Sequence, residues 1–246
     1  MGNPFWLIIC VSTLCVTHLL FTSCADNSGW AEEEKAVIAS AQPGTAPDSS
    51  VTGSAAAAPE ILRVLTIADP ADSVFLRQQC KDFTPEMLTS PEYASLAKLM
   101  VATVTDPSED GVGIAGPQVG ISRRVVAVQR FDKPGEPFEV YPNIRIVATR
   151  GDLCPGPEGC LSVPGRRGNV LRYRDIDIQY TLVPSPASGS PASSSSGNSS
   201  AGRAPRTRPT LRDTTERIQG FTAVIFQHEC DHLDGVLYID KLEPAL

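Results

Sequence analysis

The stretch "FQHECDHLDGV", residues 226–236, decides how this chain is read. It contains His228-Glu229-Cys230-Asp231-His232, an H-E-x-x-H pattern. Histidines four apart on a helix share one face and can hold a single metal ion, and the Glu beside the first is placed to exchange protons with water. The surrounding "GFTAVIFQHECDHLDG" predicts a helix that Gly235 ends. Phe221, Ile225, His228 and His232 fall at helical spacing, so the histidines extend an apolar stripe expected to point into the core. The chain has 3 histidines and His18 lies in an apolar leader, which leaves only these two for chemistry.

The identity of a third ligand separates the possible enzymes. A metzincin requires H-E-x-x-H-x-x-G-x-x-H; here Gly235 is in place, but Tyr238 stands where the third His belongs. A thermolysin-like site takes a carboxylate from a following helix, and Glu243, next to Pro244, is the only Glu downstream. The zinc endopeptidase reading therefore lacks a ligand. A thiolate from upstream suits the remaining position by softness. Cys160, in "PEGCLSVPG", has Gly159 beside it, which lets the backbone approach an ion closely. Cys230 faces away from the histidine stripe, and Cys80 and Cys154 read as buried structural thiols.

The rest of the chain bounds the setting. Its 246 residues carry a net charge of −7, with a pI near 5.0, which argues against a nucleic-acid-binding surface. Residues 1–30 open with an uncharged apolar run, Phe5 to Phe21, and read as a signal peptide or a membrane or lipoprotein anchor, with Cys24 in a loose lipobox. Residues 31–60 read as a flexible tether, and 184–210, rich in Ser, Pro, Ala and Gly, as a disordered insert. Between them, Ser90-Pro91 opens a predicted helix over residues 90–106. "RRVVAVQRF", "FEVYPNIRIVAT" and "DIDIQYTLV" read as strands, and "TLRDTTERIQ" as the return strand of a hairpin whose loop is the insert. The fold class is α+β, with antiparallel strands packed around a central metal-binding helix.

"GVGIAGPQVG" (111–120), "EGCLS" (158–162) and "QHECDH" (227–232) follow one another along the chain. Together they resemble the three signature motifs of peptide deformylases, and the resemblance covers residues 61–246. It implies metal-dependent hydrolysis of the N-formyl group of formyl-methionyl peptides or nascent chains. It assigns Cys160, His228 and His232 to one divalent ion, natively Fe2+ and replaceable by Zn2+ or Ni2+. It makes Glu229 the general base, and it gives the oxyanion to the Gln118 amide and the Leu161 backbone N–H. Gly113, Gly159 and Arg167 fall where the substrate peptide would lie, and Arg172 has a structural place. The ribosome is an expected partner, membrane attachment through residues 1–24 another, and the enzyme is expected to be a monomer.

Two departures stand out. Gly116 replaces the Ala more often found in the first motif. The leader conflicts with the cytosolic or organellar setting of nascent formyl-methionine chains, so composition points to export or anchoring while the family's activity points to the cytoplasm. Alternatives to the deformylase are the zinc endopeptidase and a non-catalytic surface lipoprotein of the same fold. Intact Cys160, Gln118 and Glu229 weigh against a pure binder.

Overall fold

The structure, a computed structural model, describes residues 29–44, 59–184 and 210–243. In chain order its helices are α1 (Glu32–Ala39), α2 (Pro70–Leu76), α3 (Pro85–Leu88), α4 (Pro91–Val104) and α5 (Gly220–Leu233). The strands are β1 (Gln42–Pro43), β2 (Glu60–Ile61), β3 (Gly113–Ala115), β4 (Val125–Gln129) and β5 (Phe138–Pro142). They continue with β6 (Arg145–Arg150), β7 (Cys154–Cys160), β8 (Val163–Arg172), β9 (Asp175–Leu182) and β10 (Arg212–Gln219).

One local rule starts three of the helices. Asp69, Thr84 and Ser90 each precede a proline and accept a hydrogen bond from a backbone N–H of the following turn. The side-chain oxygen satisfies a donor that has no intrahelical partner, and the proline supplies the first helical φ without needing one. The helix expected from Ser90 is α4, whose buried Leu96, Leu99, Met100 and Val104 face the core.

Antiparallel sheets β3–β4–β5 and β6–β9–β10 and the hairpin β7–β8 surround α5. The stretch 138–149 makes two strands, because Asn143 takes a left-handed conformation (φ 56°) between them. β9 pairs with β10 from Leu182↔Arg212 to Asp175↔Gln219, so the segment between them is a hairpin connection. The insert itself lies outside the described residues, as do the leader and Cys24. Among the described residues no helix is long and apolar enough to cross a membrane.

The far side of α5 is locked into the core. Phe226, Cys230 and Leu233 pack with Val126, Val128, Tyr141, Ile176, Ile178 and Ile218. Burying one such aliphatic or aromatic side chain contributes about 1.5–3 kcal/mol. Gln227 adds a two-point clamp: its amide accepts from Tyr173 N–H (3.0 Å) and donates to Tyr173 O (2.7 Å). The helix that carries the histidines is therefore a fixed platform.

Of the tether expected over residues 31–60, the stretch 31–44 is folded onto the domain, and 45–58 lie outside the described residues. Trp30 is buried, donates from its indole to Ser90 Oγ (3.0 Å) and packs edge-to-face on Phe83. Glu34 receives both Nε (2.8 Å) and Nη2 (3.0 Å) of Arg123, and Gln42 pairs with Ile61. Composition favoured a tether because Ala, Pro and Ser dominate residues 41–59. The short helix before them is stabilised by tertiary contacts that composition does not reveal.

Candidate active site

The histidine pair sits as helical spacing requires, with ring centroids 5.1 Å apart. Cys160 ends β7 and brings its Sγ to 3.2 Å from His232 Nε2. One ligand atom each from Cys160, His228 and His232 lies within 4.8 Å of the others, the one such group of metal-binding type among the described residues. Cys230 lies in the core on the other side of the helix, as expected.

These residues fit a metal ion. One thiolate and two imidazoles form a soft, mixed donor set of the kind that holds zinc or iron, at bond lengths of about 2.0–2.3 Å. Burial pushes the His232 imidazole well below its ordinary pKa, which keeps it in the neutral, ligating form. Buried atoms also lack a hydrogen-bond partner here, among them Glu229 Oε2. An unsatisfied buried polar atom is costly unless another group completes it.

Behind the ligands runs a charge relay that sequence reading did not identify. His228 Nδ1 lies 2.8 Å from Glu158 Oε2, which leaves its Nε2 directed at the donor cluster. Arg172 holds both Glu158 oxygens (2.7 and 3.0 Å) and reaches Asp231 at 2.5 Å; Lys241 also binds Asp231 (2.7 Å). Burial raises Glu158, but hydrogen bonds from His228 and Arg172 outweigh it and bring its pKa to about 2. Tyr238, the residue that excluded a third His, stacks on His228 with centroids 5.9 Å apart. The signal for Glu158 was present in the second motif, two residues before Cys160 on one strand.

Glu229 points toward the same centre and is almost fully buried. Burial, reinforced by the Glu158 charge and opposed by His228, pushes it up to about 7, the range in which a carboxylate exchanges protons near neutral pH. Gly113 passes directly over it: a Cβ there would stand 2.5 Å from Glu229 Oε1. Gln118 is fixed at both ends of its amide. Its Oε1 accepts from Ala115 N–H (2.8 Å), so its Nε2 turns toward Ser162 Oγ (3.2 Å) and Cys160 Sγ (3.5 Å).

A cavity of about 710 Å³ opens onto this group. Val224 and Ile225 of α5 form an apolar wall, Gly159, Leu161 and Arg167 line the hairpin side, and Gly113 and Gln118 the opposite side. Phe221 departs from the inward stripe expected of it. It is 50% exposed, packs on Phe131 and lines the cavity, since the first turn of α5 projects beyond the core. Arg172, expected to have a structural place, is buried in the relay.

The polypeptide deformylase family model matches residues 61–184 and 209–245. The chain belongs to the polypeptide deformylase family. Peptide deformylase 2 of Nostoc sp. is 36% identical over 194 residues, covering 76% of this chain and 89% of that one. A Leptospira biflexa peptide deformylase is 31% identical over 191 residues, covering 74% and 88%. Among solved structures, the Met-Ala-Ser-bound class I type b peptide deformylase of Acinetobacter baumannii superposes with a TM-score of 0.54 at 30% identity, over 74% of this chain and 98% of that one. This deformylase is a hydrolase that removes the formyl group from N-formyl-methionyl peptides, by a metal-dependent reaction. The family match supports neither the endopeptidase nor the non-catalytic lipoprotein.

Proposed function

We propose how this deformylase divides the work among its residues. Cys160, His228 and His232 hold one divalent ion, Fe2+ by preference, with Zn2+ or Ni2+ able to replace it. When bound, such an ion supplies Lewis-acid polarisation of a carbonyl and lowers the pKa of water. The formyl-methionyl peptide lies extended along β3, an edge strand of its sheet, and pairs with the backbone at Gly113 as an added strand. Gly159 and Arg167 flank it on the hairpin side, and Val224 and Ile225 receive the methionine side chain.

Glu229 takes the proton of the attacking water and returns it to the departing amine. Its buried position and elevated pKa support both halves of that exchange. The Gln118 Nε2–H and the Leu161 backbone N–H receive the oxyanion; the Ala115 bond to Gln118 Oε1 supports this assignment by preventing the amide from flipping. The observation that carries the reading is the convergence of Cys160, His228 and His232 beside Glu229 and Gln118 on one cavity.

The test is formate release from formyl-Met-Ala-Ser by the full-length, iron-loaded enzyme under anaerobic conditions. Glu229→Ala should retain the metal and lose at least about 100-fold in kcat, the scale of general acid–base catalysis. Activity near wild type in that variant refutes the assignment. The leader carries a separate proposal: residues 1–24 place the enzyme at a membrane, a reading supported by the uncharged apolar run Phe5–Phe21. Mass spectrometry of the mature N-terminus tests it, and an acylated Cys24 is the outcome expected of a lipid anchor.

A further inference from the structure

Residues 30–44 precede the stretch matched by the family model, yet they are built into the catalytic domain. The Glu34–Arg123 pair is largely buried, with side chains 9% and 13% exposed. Near it, Val37 packs against Gly120, where an added Cβ would lie 3.4 Å from Val37 Cγ2. Gly120, at φ 78°, closes the 3-10 turn Gly116–Val119 that carries Gln118. Arg123 is held just beyond that turn. One end of the segment thus supports the Gln118 turn from behind.

The other end reaches the second wall of the cavity. Gly44 donates to Pro59 O (2.7 Å) and lies so close to the Asp106 carboxylate that a Cβ added there would force a shift. Asp106 Oδ1 accepts from Ser108 N–H and Oγ–H, and its carbonyl accepts from the N–H groups of Glu109 and Asp110. This shapes the loop that continues into Gly113, over Glu229. Leu62 N–H, just after β2, donates to Thr103 Oγ1 in the last turn of α4 (2.9 Å). The segment therefore touches, from outside, both chain stretches that face the reacting centre.

We propose that residues 30–44 form a positioning strap for the active site: by bracing the Gln118 turn and the 106–113 loop, they hold the Gln118 amide and Gly113 in their working places. The strap acts through those residues and touches no substrate. The catalytic part of the proposal rests on Gln118 as the oxyanion donor. A further consequence is that removal of the leader has to stop before Trp30.

The test uses Glu34→Gln and Val37→Ala in the full-length chain, with Arg123→Lys as the charge-conserving comparison. Amide hydrogen exchange is followed over residues 106–120 and, as an internal reference, over 212–230, together with kcat, KM and bound metal. The expected result is faster exchange over 106–120 alone and a roughly tenfold lower kcat at unchanged metal content, with Arg123→Lys closer to wild type; displacements below 1 Å have effects of this order. A lower melting temperature with wild-type kcat and exchange over 106–120 would overturn the strap and leave a surface clamp. No change in any readout would overturn it too. Faster exchange over 106–120 with unchanged kcat would overturn the positioning role, whereas a Gln118→Ala enzyme with wild-type kcat would instead remove Gln118 as the oxyanion donor.

Discussion

Substituting Gly113 by Ala tests how closely the cavity wall is fitted to the general base. The new Cβ would stand 2.5 Å from Glu229 Oε1, 2.8 Å from Ile225 Cγ2 and 3.0 Å from Glu229 Cδ. Ordinary contact begins near 3.4 Å, so the Gly113–Glu229 gap must open by about 0.9 Å. α5 has little freedom to retreat, because Phe226, Cys230 and Leu233 are buried behind it and Gln227 clamps it. The shift falls on the Glu229 carboxylate and on the 106–113 loop. Misplacing a catalytic group by about 1 Å costs on the order of 100-fold, so kcat should fall by about 50–100-fold, close to 2.5 kcal/mol of barrier.

Steady-state formate release from a formyl-methionyl peptide gives kcat and KM, and metal analysis of the same samples shows whether the ion is retained. The control is Gly156→Ala, outside the cavity lining, where the new Cβ would meet only Arg174 Nη2 at 3.3 Å. That variant should stay within about twofold of wild type in kcat, because the end of one arginine side chain can give way without moving the backbone. A Gly113→Ala enzyme with wild-type kcat would refute the reasoning. So would one whose loss of activity tracks loss of metal, since the clash is with Glu229 and not with a ligand.

Two further outcomes follow from the supporting structure. Glu158→Gln keeps an oxygen near His228 Nδ1 but removes the charge that Arg172 and His228 share, so metal affinity should weaken about 10–100-fold in chelator competition. Wild-type affinity would show that Glu158 does not orient the ligand. Replacing residues 185–209 with a four-residue turn shortens the β9–β10 connection, which should stabilise the fold by about 1 kcal/mol through lower loop-closure entropy. Urea denaturation measures this, and a loss of stability would mean that the insert packs on the domain.

How much could be read from the chain alone depended on the range of each interaction. Helical spacing announced α5 and its histidines, Ser90-Pro91 announced α4, and strand alternation announced the β9–β10 hairpin, since each rests on neighbours a few residues apart. The missing third histidine directed attention to Cys160, and three motifs in order identified the family. Other features needed the folded chain. Glu158 meets His228 across 70 positions, and Glu34 meets Arg123 across 89. The approach of Gly113 to Glu229 depends on how β3 lies against α5. The sequence by itself determined which groups carry the chemistry, because side-chain type and local spacing are written in it. Tertiary structure decided what holds those groups in place, and that residues 30–44 pack on the domain, because ion pairs and close packing depend on distances that only the completed fold sets.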